Sequence, residues 1–348
     1  MNCIKIRGEN LKEEILQKIE SLYDLDKHQE IIDMIEALPA EQLNTELISE
    51  LGRAYNNTQQ YEKGLELLKS IEFEEANNPR WNCRIAYSYY FLDDFKNAEK
   101  YLLKANELNP EDDFTYTLLI ETYISLSRVE DENRNQERAI EYALEAKKYI
   151  RDEEGEANAD SFLAWLYDRY GHYIEAEELL KNMINKSKND EWLYSELGYC
   201  LAEQGRQEEA LENYQKVIEL GRKDTWVYSE IAWTYFLIKK PQLALDYIKK
   251  AKEISPVEID LVLTTRMASI LLALAKHKEA IKMIEEIISK EEYKNDINLL
   301  SNLAYIYIDM NDYNSALTYL QRLKELGRND EWLNKNLILV YSKLENIN

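Results

Sequence analysis

Glycine, proline, cysteine and histidine are all scarce: the 348-residue chain holds 9, 5, 3 and 3 of them. So few glycines and prolines leave few breaks. With Leu, Glu, Lys, Ala and Tyr abundant, the composition predicts an all-α chain with short connections. Cys3, Cys83 and Cys200 are odd in number and lack the paired spacing of metal ligands, which excludes a disulfide framework and suits reduced thiols. No stretch approaches the roughly 18 unbroken apolar residues of a spanning helix. The start, Met1 to Asn10, has no apolar core of secretory length. A cytoplasmic location is therefore the expectation. Basic charge is also short, with 43 Lys and Arg against 66 Asp and Glu and a formal net charge of -23. Affinity for a phosphate backbone comes from basic side chains that release counterions, so neither nucleic acid nor an anionic membrane is expected as a partner.

What the chain does have is a period. Trp192 and Trp226 stand 34 residues apart, each two residues after an Asp, and each opens a matching stretch, Asp190 to Gly198 and Asp224 to Ala232. A third copy, Asp330-Glu-Trp332, lies 106 residues beyond Trp226, room for two slightly longer copies between. Small residues carry the same register. Gly64, Ala98, Ala139, Ala176, Ala210, Ala244, Ala280 and Ala316 fall in second helices, and Gly52, Ala86, Ala164, Gly198, Ala232, Ala268 and Ala304 in first helices. Three residues after each of the latter comes Tyr or Leu, as at Tyr55, Tyr89, Tyr167 and Leu201. A small residue lets helices approach and the larger one fills the remaining space.

These residues resemble the tetratricopeptide repeat, whose pattern has small residues at positions 8 and 20, Tyr at 11, an aromatic at 17 and often Pro at 32. The resemblance covers nearly the whole chain. It implies an α-solenoid, a right-handed superhelix of about nine helix-turn-helix repeats plus a C-terminal capping helix, forming one domain over residues 1–348. First positions fall at Lys12, Thr45, Pro79, Asp113, Ala157, Glu191, Thr225, Leu261 and Ile297, and the last helix starts at Glu331. Ile19 and Ile31 take the usually small positions of the first copy, which reads as an adapted cap.

Punctuation agrees with the period. Pro39, Pro79, Pro110 and Pro256 fall at joints and Pro241 in a first turn, where proline is tolerated. Asp190, Asp224, Asp296 and Asp330 precede first helices as caps, and Gly221 and Gly327 follow second helices as left-handed stops. One copy is longer: the interval from Asp113 to Ala157 is 44 residues, and the charged extra residues around Arg128 to Gln136 read as a solvated loop between helices.

Catalytic motifs are absent. No glycine-rich phosphate loop, His-x-x-x-His, Gly-x-Ser-x-Gly or Cys-x-x-Cys occurs, and His28, His172 and His277 fall at separate turns into second helices. Separate turns do not assemble one zinc site or acid-base pair. No enzyme, cofactor or metal site is expected.

Helical geometry puts positions 4, 7, 8 and 11 of a first helix on one face and 2, 5, 9 and 12 on roughly the opposite one. The former is the expected core. Five of the six tryptophans nevertheless lie on the latter: Trp192, Trp226 and Trp332 at position 2, and Trp165 and Trp233 at position 9. Tyr87, Tyr199 and Tyr305 share position 9, Phe114 position 2, and Tyr90 and Phe236 position 12. Position 5 is small and hydroxylated, at Ser49, Ser195, Ser229 and Ser301 among others, leaving room for flat rings or a ligand backbone. The resemblance implies that this face lines a concave groove that contacts peptide. Candidate partner-binding residues are then Tyr87, Phe114, Glu121, Trp165, Asp168, Trp192, Tyr199, Trp226, Trp233, Phe236 and Tyr305. Two readings stand for the position-2 tryptophans, ligand contact or packing on the preceding joint.

Glu50, Glu121, Asp168, Glu196 and Glu230 lie on or beside the stripe, with Arg53, Arg84 and Arg169 the nearby cations. That mild acidity favours an apolar, aromatic or basic peptide over an acidic tail. Family members that clamp chaperone tails need Lys at position 5 and Asn at position 9 in neighbouring repeats, whereas this chain has Ser, Thr and aromatics there and its lone position-5 lysine, Lys335, is isolated. The leading expectation is a non-enzymatic scaffold that binds a peptide segment of another protein, and the alternative is a peptide-sensing signalling regulator. Regulators of that kind usually carry an additional N-terminal bundle or helix-turn-helix, whereas about eleven residues precede the first repeat here. The last helix, apolar around Trp332, Leu337, Ile338, Leu339 and Tyr341, either closes the array or pairs two copies as a homodimer.

Overall fold

A computed structural model describes residues 2–255 and 260–345, with side chains from residue 12 onward. Every element among them is helical. They form two compact units, Met1–His172 and Tyr173–Asn348. In the first, α1 (Asn2–Tyr23) precedes α2 (His28–Glu36), α3 (Thr45–Asn57) precedes α4 (Tyr61–Ser70), and a single turn, α5 (Glu72–Glu75), follows. Then come α6 (Pro79–Phe91) with α7 (Phe95–Leu108), α8 (Asp113–Glu132) with α9 (Gln136–Ala146), and α10 (Glu153–Arg169). The second unit holds α11 (Tyr173–Lys186), α12 (Glu191–Glu203) with α13 (Gln207–Glu219), α14 (Thr225–Leu237) with α15 (Pro241–Ile254), α16 (Leu261–Ala273) with α17 (His277–Ile288), α18 (Ile297–Asp309) with α19 (Tyr313–Glu325), and α20 (Glu331–Glu345). Within each unit antiparallel pairs stack on their neighbours, the solenoid arrangement the period predicts. None of the described helices is long and apolar enough to cross a membrane.

Eight of the ten predicted starts coincide with helix N-termini; two do not. The first helix begins at Asn2 rather than Lys12. The helix expected from Ala157 begins at Glu153, because Asp152 caps it by accepting from the Gly155 N–H at 2.7 Å and three glutamates favour the first turn. Capping is more regular than the sequence reading found. Asn44, Asn78, Asp112, Asp152 and Asp260 cap first helices by side-chain acceptance, as Asp190, Asp224, Asp296 and Asp330 do. Pro79 and Pro241 stand at helix starts, and Pro256 lies outside the described residues, as does the side chain of Cys3.

The turn inside each repeat recurs equally strictly. Asp26, Gln59, Asp93, Arg134, Gly171, Gly205, Lys239, Ala275 and Asn311 all have positive φ there, and Gly221 and Gly327 end second helices the same way. The expected loop around Arg128 to Gln136 is not one. The extra residues lengthen α8 to 20 residues, and the turn proper is 133–135. The physical reason is Asp131, which faces inward and accepts from Arg169 at 2.8 Å and Tyr170 at 2.6 Å, pinning the extension to α10. Ile19 and Ile31 are both fully buried. On α20, Leu333, Leu337 and Val340 are buried while Ile338, Leu339 and Tyr341 face outward.

Candidate functional site

Position 5 of the first helices is where the structure departs most from the reading of an open trough. Ser49, Ser195 and Ser229 are buried, and their hydroxyls are taken by arginines from the following repeat or joint. Arg84 donates to Ser49 at 2.7 Å and to Glu50 at 2.5 Å; Arg266 donates to Ser229 at 2.6 Å and to Glu230 at 2.8 Å. Arg222 reaches Ser195 at 3.2 Å and Asp224 at 2.6 Å, and Arg328 binds Ser301 and Asp330 in the same way. At these four serines the stacked first helices close over position 5 and admit an internal guanidinium rather than a ligand, whereas Thr117, at position 5 of α8, stays exposed. These charge-assisted pairs stitch one first helix to the next.

The arginines also cover rings. Arg222 lies 5.4 Å from the Trp226 ring centroid, Arg328 4.4 Å from that of Trp332 and Arg266 5.5 Å from that of Trp233. Trp226 further meets the buried Tyr214 edge-on at 6.1 Å. Trp81 is wholly buried and donates its indole N–H to the Leu68 carbonyl at 3.0 Å.

In the first unit, Tyr87 and Phe114 stack at 6.1 Å, and Phe114 is 53% exposed. Together with Arg53, Arg80 and Arg84 they line a cleft of about 380 Å³ across α3, α6 and α8. Burial pushes the Cys83 thiol in its floor up to about 11. A second cleft, of about 450 Å³, opens across α6, α8 and α10, with Tyr90, Glu121, Arg128 and Phe162 among its walls. Burial raises the Glu121 carboxyl above the usual carboxylate range; the Tyr87 phenol is raised too, first by burial and then by the charges of Tyr61 and Glu121. Trp165, 38% exposed, stacks on Phe162 at 5.7 Å with Arg169 over its face, and Asp168 is half-buried on the same helix.

In the second unit, Trp192 and Tyr199 are half-buried on α12, and Trp233 stacks on Phe236 at 4.9 Å. Phe236 and Tyr305, the latter 49% exposed, share a cleft of about 370 Å³ across α14, α16 and α18. Sequence reading missed Arg80, Arg128 and Phe162; Arg80 was detectable as the one basic residue at position 2, which four other copies fill with an aromatic, Phe114, Trp192, Trp226 and Trp332. His28, His172 and His277 have separate partners, Asn57, Gln136 and Asp309. No group of three or more His, Cys, Asp or Glu residues is placed to hold a metal ion among the described residues.

Comparison with known proteins finds the tetratricopeptide repeat family over residues 80–112 and again over 299–331, and a bacterial transcriptional activator domain over 151–224. Among solved structures, the APC/C hetero-tetramer Cut9–Hcn1 is similar with a TM-score of 0.52 at 13% identity, over 90% of this chain and 66% of that one. The chain thus spans just under two thirds of that relative's length, and the likeness concerns the fold alone. YrrB, described as a TPR protein with an unusual peptide-binding site, matches at 18% identity over 62% of this chain and 99% of its own, with a TM-score of 0.43. A TPR repeat-containing protein from Cytophaga hutchinsonii matches at 15% identity over 83% and 99%, with a TM-score of 0.46.

Proposed function

Because this chain is a tetratricopeptide-repeat protein, we propose that it is a non-enzymatic scaffold that binds a peptide segment of another protein between successive first helices. One observation carries the reading: large aromatics on first helices line clefts, the exposed Phe114 beside half-buried Tyr87 in one unit and the exposed Tyr305 beside half-buried Phe236 in the other. A folded chain gains about 25 cal/mol per Å² by burying apolar surface, so rings held open in concave sites are the surface a partner would cover. Rings of this kind make binding hot spots. Trp226 and Trp332, already covered by arginine, are weaker candidates than Phe114 and Tyr305.

A photo-crosslinking amino acid at Phe114 or Tyr305 tests this in lysate of the native host. The reading expects crosslinks that map to one short segment of one partner, and affinity for that segment falling by at least about 2 kcal/mol when the neighbouring ring, Tyr87 or Phe236, becomes Ala. Crosslinks scattered over many proteins, or unaffected by those changes, would sink it. The match to a bacterial transcriptional activator domain over residues 151–224 favours a second reading, a regulator whose repeats sense a peptide. Under that reading, deleting the gene changes transcription of a defined set of genes, which a plain scaffold need not do.

A further inference from the structure

The two clefts of the first unit share a wall and carry opposite charge. Three arginines, Arg53, Arg80 and Arg84, face one acidic group, Asp112, in the first cleft, a net positive pocket in a chain of net charge -23. Arg84 is committed to Ser49 and Glu50. Arg53 stands 3.9 Å from Glu50 and lies over the Tyr23 ring, while the Arg80 guanidinium is exposed and has no partner among the described residues. In the second cleft the balance reverses, with Asp113, Glu121, Asp152 and Glu154 against Arg128 and Arg151. Arg151 is held by Asp113 and the Pro110 carbonyl, and Arg128 lies over Phe162. Glu121 has neither an ion pair nor a hydrogen bond among the described residues, and aromatic walls beside it suit a cation.

The wall between the clefts is aromatic. Tyr87 and Phe114 face the arginines, and Tyr90 and Thr117, one turn further along the same two helices, face Glu121. An extended segment crossing from one cleft to the other would meet a cation, then rings, then an anion. A uniformly acidic segment is repelled at Glu121 and a uniformly basic one at Arg80. Resting on the scaffold reading above, we infer that the first unit takes a segment of mixed charge: an acidic side chain at Arg80 and Arg53, an apolar or aromatic residue on Tyr87 and Phe114, and a basic side chain at Glu121. Packed helices lie roughly 8–10 Å apart, Glu121 stands about two turns, or roughly 10 Å, further along its helix than the equivalent of Arg80, and an extended chain advances about 3.3 Å per residue, which puts the two charges about four residues apart.

Random peptides displayed on phage and selected on the full chain test this without a known ligand. The expected winners pair an acidic and a basic residue about four apart around an apolar one. Arg80→Glu and Glu121→Lys each then weaken such a peptide by about tenfold or more, and the doubly reversed protein prefers the same peptide with its charges exchanged. Arg80 is exposed, and Glu121, partly desolvated on the cleft wall, makes neither an ion pair nor a hydrogen bond among the described residues; equal helicity of the variants checks that both fold. Winners without the charge pair, or indifferent to both reversals, would overturn the inference while leaving a peptide scaffold standing. A selection that enriches no peptide would overturn the scaffold reading and the inference with it.

Discussion

Gly198 shows how much one missing methyl group carries. A Cβ built there would stand 2.8 Å from Cε1 of Tyr214, the fully buried residue that faces it from α13. The equivalent pair in the repeat from Pro79 is Ala86 and Leu102, both completely buried in one cluster. Leu102 accepts alanine opposite, whereas Tyr214 faces glycine, as does Leu68, from whose Cγ a Cβ at Gly52 would stand 2.7 Å. Gly198→Ala is therefore expected to cost about 1–3 kcal/mol through overpacking, against a gain of up to about 1 kcal/mol in helix propensity. Combined with Tyr214→Leu it should cost less than the two changes separately, with a coupling of about 1 kcal/mol or more by denaturant unfolding. A coupling of zero would mean the helices relax around the extra carbon. The small-residue periodicity was legible in the sequence. Which copy needs glycine was not, because that depends on a partner 16 residues away on another helix.

At the level of elements, the stitching arginines carry more than caps or turns. Arg266 satisfies Ser229 and the buried Glu230 together, and the pair is largely shielded from water. Removing one partner of such a pair leaves a desolvated charge, so Arg266→Met is expected to lose about 3–5 kcal/mol, and adding Glu230→Met should restore most of it. Thermal and urea unfolding of the two variants decide this: a loss under about 1 kcal/mol for Arg266→Met would show that water enters and the stitch is ornamental. Helix starts, caps and glycine stops were readable because each is local, a side chain and an amide within three residues. The arginine bonds span 27 residues to Ser195 and 37 to Ser229, and a periodic pattern shows register without showing what fills the space. For the same reason the serines looked like room for a ligand. The extension of α8 looked like a loop because its charges read as solvated, until Asp131 is seen to point at Arg169 and Tyr170.

For the whole molecule, the formal charge of -23 sets two electrostatic effects against each other. Favourable contacts are mostly short, such as Lys27 with Glu30 at 2.7 Å and Lys104 with Glu107 at 2.9 Å, and exposed pairs of this kind are each worth about 0.3–0.5 kcal/mol. Repulsion among the excess carboxylates acts over tens of ångströms and adds across the surface. Between about 0.01 M and about 0.1 M salt the Debye length falls from about 30 Å to about 10 Å, which screens the distant repulsion and leaves contacts near 3 Å largely intact. The aromatic stripe was visible in the sequence, but not the gathering of Arg53, Arg80 and Arg84 into one positive cleft within so acidic a chain, since they come from two helices and the global charge hides them. Melting temperature is accordingly expected to rise with sodium chloride over that range. A fall would show that the ion pairs and arginine stitches outweigh the repulsion. Sodium sulfate at matched ionic strength separates screening from anion binding: equal rises mean screening alone, whereas an extra rise with sulfate that disappears in Arg80→Glu would place a bound anion in the arginine cleft.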